Sequence, residues 1–372
     1  MPTMPNSTFC QAIPAQANVA SNSSAIISWY ANNYLTQITE GGGGSGGGWM
    51  YQLGQTSPSS AYAHRDAYFI AIPSDAQYTI QDDDTSSASL TGQVLQMPAG
   101  AQPEGGLNCP IGMPGEGHMA VMQPDNKTIY EFSNVECITP GAGGLPGLIH
   151  VNGAFYANIA LDNGWACGNP YEYPAGCVGD SITASHRDVT QGIISAREIL
   201  NGGIYHALSG TFGCSSGHMT PPAQGFDNPC SSTGSAIAEG QKLFIAACST
   251  YPHCTSAQSA ATIASWGNLG LTVPGQMILD ALAGWGIYYT DSYGGPSAYF
   301  EPLDPESYGS AHAITDYWPQ VVSKYNLQPY PNGGTQNWGY SLNLAAVPTN
   351  PNGPPGAKGF WSWFAVCSLS GC

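Results

Sequence analysis

Two glutamates and one histidine lie close together within residues 115–136, and they are residue types that acid–base chemistry uses. Glu116 and His118 are two residues apart, and Glu131 follows the turn-forming run Asp125-Asn126-Lys127-Thr128. Glycoside hydrolysis needs two carboxylates: one protonates the leaving oxygen, and the other acts as nucleophile or activates water. These three residues form the first candidate site.

The element that must position these side chains is a β-hairpin, because alternating residues run into a turn-forming cluster and out of it again. If Gln123 lies opposite Thr128, then Ala120 pairs with Glu131. Side chains alternate between the faces of a strand, so Glu116, His118 and Glu131 then share one face. The opposite face carries Val121, Tyr130 and Phe132. A one-residue slip would move Glu131 to that opposite face, so the site depends on the register.

Asp291 and His206 complete the set of candidate catalytic residues. Asp291 ends the apolar run 287–291, which predicts a strand, and it is either a turn-forming residue or a site carboxylate at a strand end. His206 is either a neutral core histidine or an acid–base group. His118, His206 and Glu116 also have the ligand chemistry of zinc, copper or manganese sites. The predicted chemistry requires no cofactor, but a metal site built from these three stays open.

Aromatic residues are concentrated in the last hundred residues, where they form either stacking platforms for sugar rings or ordinary packing. They are Trp285, Tyr288, Tyr289, Tyr293, Tyr299, Phe300, Tyr317 and Trp318. The triplet His-Arg-Asp occurs at 64–66 and again at 186–188. The surroundings of the kinase motif with that spelling are missing, so Arg–Asp pairs that bridge loops are the preferred interpretation.

The charge balance limits the partners of the chain. Charged residues make up 8% of the sequence, with Lys+Arg 7 against Asp+Glu 24 and a formal net charge of −17. Seven cationic residues cannot neutralise a nucleic-acid backbone, and anionic membranes are disfavoured for the same reason. Few carboxylates also means that few native ion pairs are lost on acidification. We therefore expect a protein adapted to acidic or otherwise harsh extracellular conditions.

Eleven cysteines indicate an oxidising compartment. Ten of them fall into close pairs, which are Cys109/Cys137, Cys167/Cys177, Cys214/Cys230, Cys248/Cys254 and Cys367/Cys372. Cys10 is left over, or it replaces a member of one pair. The sequence contains no run of 18 apolar residues, so it predicts no membrane-spanning helix. We expect that a signal peptide has been removed and that Met1 is an added start residue.

Short apolar runs alternate with Gly, Pro, Asn and Asp about every ten residues, a rhythm that is typical of all-β proteins. The predicted fold is a single β-sandwich, jelly-roll-like, over 49–372, with long loops and a few short helices. Residues 1–48 form a polar segment that ends in a glycine-rich linker or loop. Helices are predicted at 192–200 and 274–285, and strands at 287–291 and 360–366.

Four segments in a fixed order resemble a widespread group of secreted, functionally uncharacterised bacterial proteins. They are MPAGAQPEGG at 97–106, EGHMAVMQPDNKTIYEF at 116–132, GIISAREILNGGIYHALSG at 192–210 and MILDALAGWGIYYTDSYGG at 277–295. The chain departs from the group's pattern at Glu116 (usually Asp), Ile199 (usually Leu) and Trp285 (usually Tyr). The resemblance implies secretion and marks His118, Glu131, Glu198, His206 and Asp291 as recurring positions. It implies no particular reaction.

Together these observations predict a secreted, acid-tolerant protein that acts on polysaccharide. The favoured reaction is hydrolysis of a β-glucan-type substrate by Glu116 and Glu131, with His118 tuning one of them. One alternative is a non-catalytic carbohydrate-binding or surface-assembly protein. An acid protease of unfamiliar architecture is another.

Overall fold

The computed structural model describes residues 7–33, 67–83, 90–103, 117–158, 183, 185–188, 190–211, 214–226, 229–230, 236–291, 303–304, 317–328, 341–368 and 372. Among these residues, 26% are helical and 25% lie in strands. They form three small four-stranded sheets of mixed direction. The prediction of an all-β, jelly-roll-like sandwich is therefore wrong.

The strands are β1 (Ala67–Ile70), β2 (Ala76–Asp82), β3 (Val94–Met97), β4 (Met119–Met122), β5 (Thr128–Phe132), β6 (Val135–Thr139), β7 (Gly147–Val151), β8 (Ala154–Asn158), β9 (Ile194–Ser195), β10 (Leu208–Thr211), β11 (Lys242–Ile245), β12 (Ile287–Asp291), β13 (Leu303–Asp304) and β14 (Phe364–Val366). The helices are α1 (Ser23–Asn33), α2 (Ala196–Asn201), α3 (Ser256–Trp266), α4 (Val273–Gly284) and α5 (Trp318–Tyr325). Short 3-10 turns occupy Thr8–Cys10, Gly267–Leu269, Leu344–Ala346 and Gly359–Trp363.

Helices α3 and α4 show why the all-β prediction failed. The sequence predicts α4 within one residue at each end, because Pro274 stands in its first turn and Thr272 accepts a hydrogen bond from the Gly275 N–H. The composition of α3, by contrast, is mostly Ser and Ala, and Ile263 and Trp266 are its only large buried side chains. Two large apolar side chains in eleven residues give almost no apolar periodicity, so the sequence did not predict α3, although a complete capping box starts the helix.

The described chain divides into two compact units. Unit 1 comprises residues 1–7, 55–196 and 303–317, and unit 2 comprises 8–54, 197–302 and 318–372. Unit 1 holds two four-stranded sheets, with strand orders β1-β4-β5-β8 and β3-β2-β7-β6, and the short parallel pair β9–β13. In each four-stranded sheet of unit 1 one strand pair is parallel, β1–β4 and β2–β7, a pairing that a jelly roll lacks.

The Gln123 side chain joins the two sheets of unit 1. Its amide makes the two hydrogen bonds that a neighbouring strand would make. The Gln96 N–H donates to Gln123 Oε1 at 2.9 Å, and Gln123 Nε2 donates to the Gln96 carbonyl at 3.1 Å. Gln123 follows β4 of the first sheet, and Gln96 lies in β3 of the second. The edge of β3 is thereby paired instead of open.

Unit 2 is built on the sheet β10-β12-β11-β14. Helix α4 packs against β11 and α3, and α1 packs against β14. Another part of the sheet is covered by residues 8–19, which we call the covering segment. Its Ile13 and Ala17 pack on Phe244 and Ala365 in one apolar cluster. The predicted strand at 360–366 is shorter than expected, because 359–363 form a 3-10 turn before β14.

Three of the predicted disulfides are confirmed, namely Cys214–Cys230, Cys248–Cys254 and Cys367–Cys372. Cys137 is also disulfide-bonded, while Cys109, Cys167 and Cys177 lie outside the described residues, as does the glycine run 41–48. Cys10 is an exposed free thiol. Within the described part of the chain, no helix is long and apolar enough to cross a bilayer.

Candidate functional site

The hairpin has the register that the sequence predicts. β4 and β5 are antiparallel, with Ala120 opposite Glu131 and Met119 opposite Phe132. The turn closes where expected, because the Gln123 N–H donates to the Thr128 carbonyl at 2.8 Å. Alternation that continues one residue before β4 places His118 on the same face of the sheet as Glu131. Glu116, the third member of the predicted site, lies outside the described residues.

Asp125 holds the hairpin turn. Its carboxylate accepts hydrogen bonds from the N–H groups of Lys127 and Thr128, both at 2.8 Å, and from the Thr128 hydroxyl at 2.8 Å. Burial would raise the pKa of Asp125, but these three hydrogen bonds lower it overall. The Asp-Asn-Lys-Thr run thus fixes the loop length, and the loop length sets the faces of the strands that follow.

Glu131 is a buried carboxyl group. Its side chain is 1% exposed, whereas His118 on the same face is half-buried. The β1 and β8 neighbours on this face are Tyr68 beside Ala120 and Phe155 beside Glu131, and both aromatic side chains are buried. Glu131 therefore lies in a buried row of side chains next to Phe155, and His118 on the same face is more exposed.

The opposite face of the hairpin belongs to the main apolar core of unit 1. Met119, Val121, Tyr130 and Phe132 all lie in this core cluster, as the alternation pattern predicts. Both faces of the hairpin are covered, so Glu131 is an interior residue of the sheet.

His118 and Glu131 occupy diagonal positions across β4 and β5. Such positions are about 7–8 Å apart at Cα, which is within reach of long side chains. Where a carboxylate reaches an imidazole, it can orient the ring and favour its protonated form. The chemistry available to this pair is proton transfer by His118 or protonation of a substrate oxygen by Glu131.

His206 pairs with Glu198 in unit 2. Its Nε2 lies 3.0 Å from Glu198 Oε1, and its Nδ1 lies 2.8 Å from the Ala207 carbonyl oxygen. Burial alone would lower the pKa of His206, but the Glu198 carboxylate and the Ala207 carbonyl outweigh it and raise the pKa. Both ring nitrogens thus lie beside acceptor oxygens, which favours the protonated form of the ring.

Asp291 and His206 lie towards opposite ends of the same sheet. β10 and β12 are parallel, with Leu208 beside Ile287 and Thr211 beside Asp291. His206 precedes the start of β10, and Asp291 ends β12, so about five to six residues at roughly 3.3 Å each separate their levels along the strands. The structure does not bring these two candidates together.

The predicted metal site from His118, His206 and Glu116 gains no support. His118 belongs to unit 1 and His206 to unit 2, and Glu116 lies outside the described residues. Among the residues that the structure does describe, no three His, Cys, Asp or Glu side chains are arranged to hold a metal ion.

An imidazole between two carboxylates does occur, at a histidine that the sequence did not single out. His150 Nε2 lies 2.7 Å from Asp83 Oδ2, and His150 Nδ1 lies 3.1 Å from Glu136 Oε2. The hydrogen bond from His150 is the main cause that lowers the pKa of Asp83. These residues come from β7, the end of β2 and β6, so only the strand order, which the sequence does not show, brings them together.

Two further acidic residues were missed as well. Glu239 is fully buried in unit 2; its backbone N–H donates to the His218 carbonyl at 3.2 Å, and its backbone carbonyl accepts from the Thr220 N–H at 2.8 Å. Asp280 on α4 is half-buried, and burial raises its pKa to about 6. The scarcity of charge was the available signal, since a carboxylate within an apolar segment such as Met277–Leu282 is conspicuous.

Several of the aromatic residues proposed as stacking platforms are interior packing residues. Tyr288, Tyr289 and Trp318 are 6%, 0% and 1% exposed, whereas Tyr293, Tyr299 and Phe300 lie outside the described residues. In the His186-Arg187-Asp188 triplet, Arg187 is fully buried and donates from Nη1 to the Gln191 carbonyl at 2.7 Å. That arginine therefore ties together its own loop.

Comparison with protein-family models, curated proteins and solved structures returns no match for this chain. The resemblance to the secreted bacterial group stays a prediction.

Proposed function

We propose that this chain is a secreted, acid-tolerant protein that acts on polysaccharide, most specifically as a glycoside hydrolase. The observation that carries the proposal is the hairpin register, which puts the buried Glu131 and the partly exposed His118 on one face of the sheet. Glu131 would protonate the glycosidic oxygen, and His118 would set its protonation state. Glu116 is the second carboxylate of the proposal.

The scarcity of charge supports a role for Glu131. Burying a polar group in an apolar interior without a hydrogen-bond partner costs of order 2–7 kcal/mol, and burying a charge costs more. Only 8% of the residues in the chain are charged. Buried ionisable groups are enriched at catalytic sites, because burial is how proteins adjust acid strength.

The compartment is supported by two independent features. The three disulfides fit an oxidising environment, from which we infer secretion. His150 and His206 each have acceptors at both ring nitrogens. At His206 the two acceptors raise the pKa of the ring, so this arrangement favours acidic conditions.

Incubation of the purified chain with a panel of β-glucans at acidic pH tests the proposal, with release of reducing ends as the readout. The wild-type chain is expected to release reducing ends from at least one member. The Glu131→Gln variant keeps the shape of the side chain but loses the acid, and a general acid–base group contributes about 10²–10⁴-fold to rate. A wild-type chain that releases nothing from the whole panel would contradict the proposal.

A second candidate, non-catalytic carbohydrate binding, is favoured by the outer face of the β3-β2-β7-β6 sheet. This face exposes neutral amide and hydroxyl side chains next to apolar ones, as in Gln77, Gln81, Thr139, Val94 and Leu148. Amides and hydroxyls are the groups that hydrogen-bond to sugar hydroxyls. Retention of a β-glucan in a pull-down, without release of reducing ends, would favour this candidate over hydrolysis.

A further inference from the structure

A lysine is enclosed in the interior of unit 2. Lys242 on β11 is 5% exposed. The register places it beside Tyr288 of β12, and Tyr288 beside Ser209 of β10, so the three side chains form one row on one face of the sheet. The covering segment lies over this row, because the Phe9 ring contacts the Tyr288 ring with centroids 4.9 Å apart.

The ammonium group of Lys242 uses few of its hydrogen-bonding groups. It has three N–H donors, and Nζ donates to the Gln11 carbonyl of the covering segment at 3.2 Å. Nζ also lies 4.6 Å from the centroid of the Tyr288 ring. No carboxylate forms an ion pair with it among the described residues. The positive charge is therefore enclosed without a counter-charge.

Burial lowers the pKa of Lys242 to about 8, so the amine is protonated at acidic and neutral pH. The other titratable groups near this row do not neutralise it. Burial raises the pKa of Tyr288 to about 12, and Cys10 is an exposed thiol. Asp291 lies three residues further along β12.

Ser209 provides a second, independent observation. Its side chain is fully buried, and its Oγ has no hydrogen-bond partner. Buried hydroxyl groups are nearly always hydrogen-bonded, so an unpartnered one requires an explanation. The Ser209 hydroxyl is a donor without an acceptor, and it lies in the same row as the Lys242 ammonium group, which has no counter-charge among the described residues. A negatively charged acceptor would satisfy both groups.

We propose that this row is a binding site for a small monovalent anion of the halide class, which accepts hydrogen bonds from Lys242 Nζ and the Ser209 hydroxyl. An anion is favoured over water because it offsets the lysine charge in a medium of low dielectric constant. The covering segment closes the row, which selects against large anions. This site is separate from the hairpin of unit 1 and does not depend on the proposed hydrolysis.

Thermal unfolding of the full chain at constant ionic strength tests the site, with sodium chloride exchanged for sodium gluconate. A ligand that binds only the folded state raises Tm in a saturable way. We expect chloride and bromide to raise Tm of the wild-type chain, and gluconate to have no effect. A Tm that is independent of chloride would overturn the proposal and would indicate that internal water satisfies the lysine.

Lys324 offers a matched control for a Lys242→Met variant. It also donates to a backbone carbonyl, that of Leu200 at 2.7 Å, and lies 5.0 Å from the Tyr325 ring centroid, but on the surface of the same unit. Lys242→Met is expected to lose the chloride-dependent rise in Tm, and Lys324→Met to keep it. A rise that survives in Lys242→Met would contradict the assignment.

A Ser209→Ala variant and the pH dependence keep the proposal testable if Lys242→Met fails to fold. Loss of one hydrogen bond to a charged partner is expected to weaken chloride binding by roughly tenfold. Line broadening of the chloride NMR signal by the wild-type chain should disappear as pH rises through about 8. Unchanged binding in Ser209→Ala together with broadening that persists at alkaline pH would refute the site.

Discussion

His206 and His150 have the same arrangement in the two units: a partly buried imidazole with hydrogen-bond acceptors at both nitrogens. At His206, a neutral ring would have only one N–H for its two neighbouring acceptors, so loss of a proton would turn one contact into a repulsion between lone pairs. At the scale of single residues, the raised pKa of His206 is the feature that bears most directly on the proposed acid tolerance.

Because the pKa of His206 is raised on folding, its contribution to stability is fully present below the pKa of an unfolded histidine, near 6.5. That contribution is lost as pH rises through the raised value. Replacing Glu198 by Gln removes the main cause of the increase. We expect Glu198→Gln to lower the pKa of His206, as measured by an NMR titration of its ring protons.

Glu136→Gln is the control for that titration, because it removes a carboxylate from the other histidine, His150. The pKa of His206 should be the same in Glu136→Gln as in the wild-type chain. A pKa of His206 that does not fall in Glu198→Gln would show that the 3.0 Å contact does not determine the charge of the ring.

At the scale of elements, Gln123 is the connection whose loss has the most specific effect. Its amide satisfies both the N–H and the carbonyl of Gln96 at the edge of β3. Gln123→Ala leaves both backbone groups without partners, and each unsatisfied group costs about 1–3 kcal/mol. We expect a correspondingly lower free energy of unfolding for unit 1 in urea, followed by tryptophan fluorescence or circular dichroism.

Gln77→Ala is the matched control, since Gln77 lies on the exposed face of β2 directly beside Gln96. Surface substitutions of this kind are expected to change stability by less than about 0.5 kcal/mol. Equal stability losses in Gln123→Ala and Gln77→Ala would mean that the side-chain bridge contributes nothing specific.

Helices, strands and turns were predictable where the residues that determine them lie within one short segment. The turn around Asp125 fixed the hairpin register, the strand 287–291 was confirmed, and α4 was placed within one residue at each end. The predicted helix at 192–200 is only partly right, because 194–195 form β9 and α2 starts at Ala196.

What failed was the arrangement of elements that are distant in the sequence. Alternation of apolar and polar residues indicates a strand but does not identify the strand beside it. The parallel pairs β2–β7 and β10–β12 could therefore not be predicted from the sequence. The cluster of Asp83, Glu136 and His150 depends on exactly such neighbours and was missed for that reason. Burial of Glu131 was equally unpredictable, because it depends on β1 and β8 lying on either side of the hairpin.

At the scale of the whole molecule, the cysteine count gives a simple test. The eleven cysteines cannot all pair within one chain, and Cys10 is the free thiol among the described residues. Although the residue is exposed overall, burial of part of its side chain raises the pKa of this thiol. We expect iodoacetamide to add one label to the unreduced, denatured chain, with peptide mass spectrometry locating it at Cys10.

Cys10→Ser is the control, and it should take up no label under the same conditions. A label found on any of Cys214, Cys248 or Cys367 in the unreduced wild-type chain would contradict the disulfides of unit 2.

The central claim is that Glu131 acts as an acid in polysaccharide hydrolysis, and one pair of variants tests it most directly. Glu131 and Glu239 are both buried glutamates, at 1% and 0% exposure, one in each unit. The measurement is the rate of reducing-end release at acidic pH for Glu131→Gln and Glu239→Gln, with Tm recorded for both. We expect a rate about 10²–10⁴-fold below wild type for Glu131→Gln and a near-normal rate for folded Glu239→Gln. Equal rates in the two folded variants would contradict it.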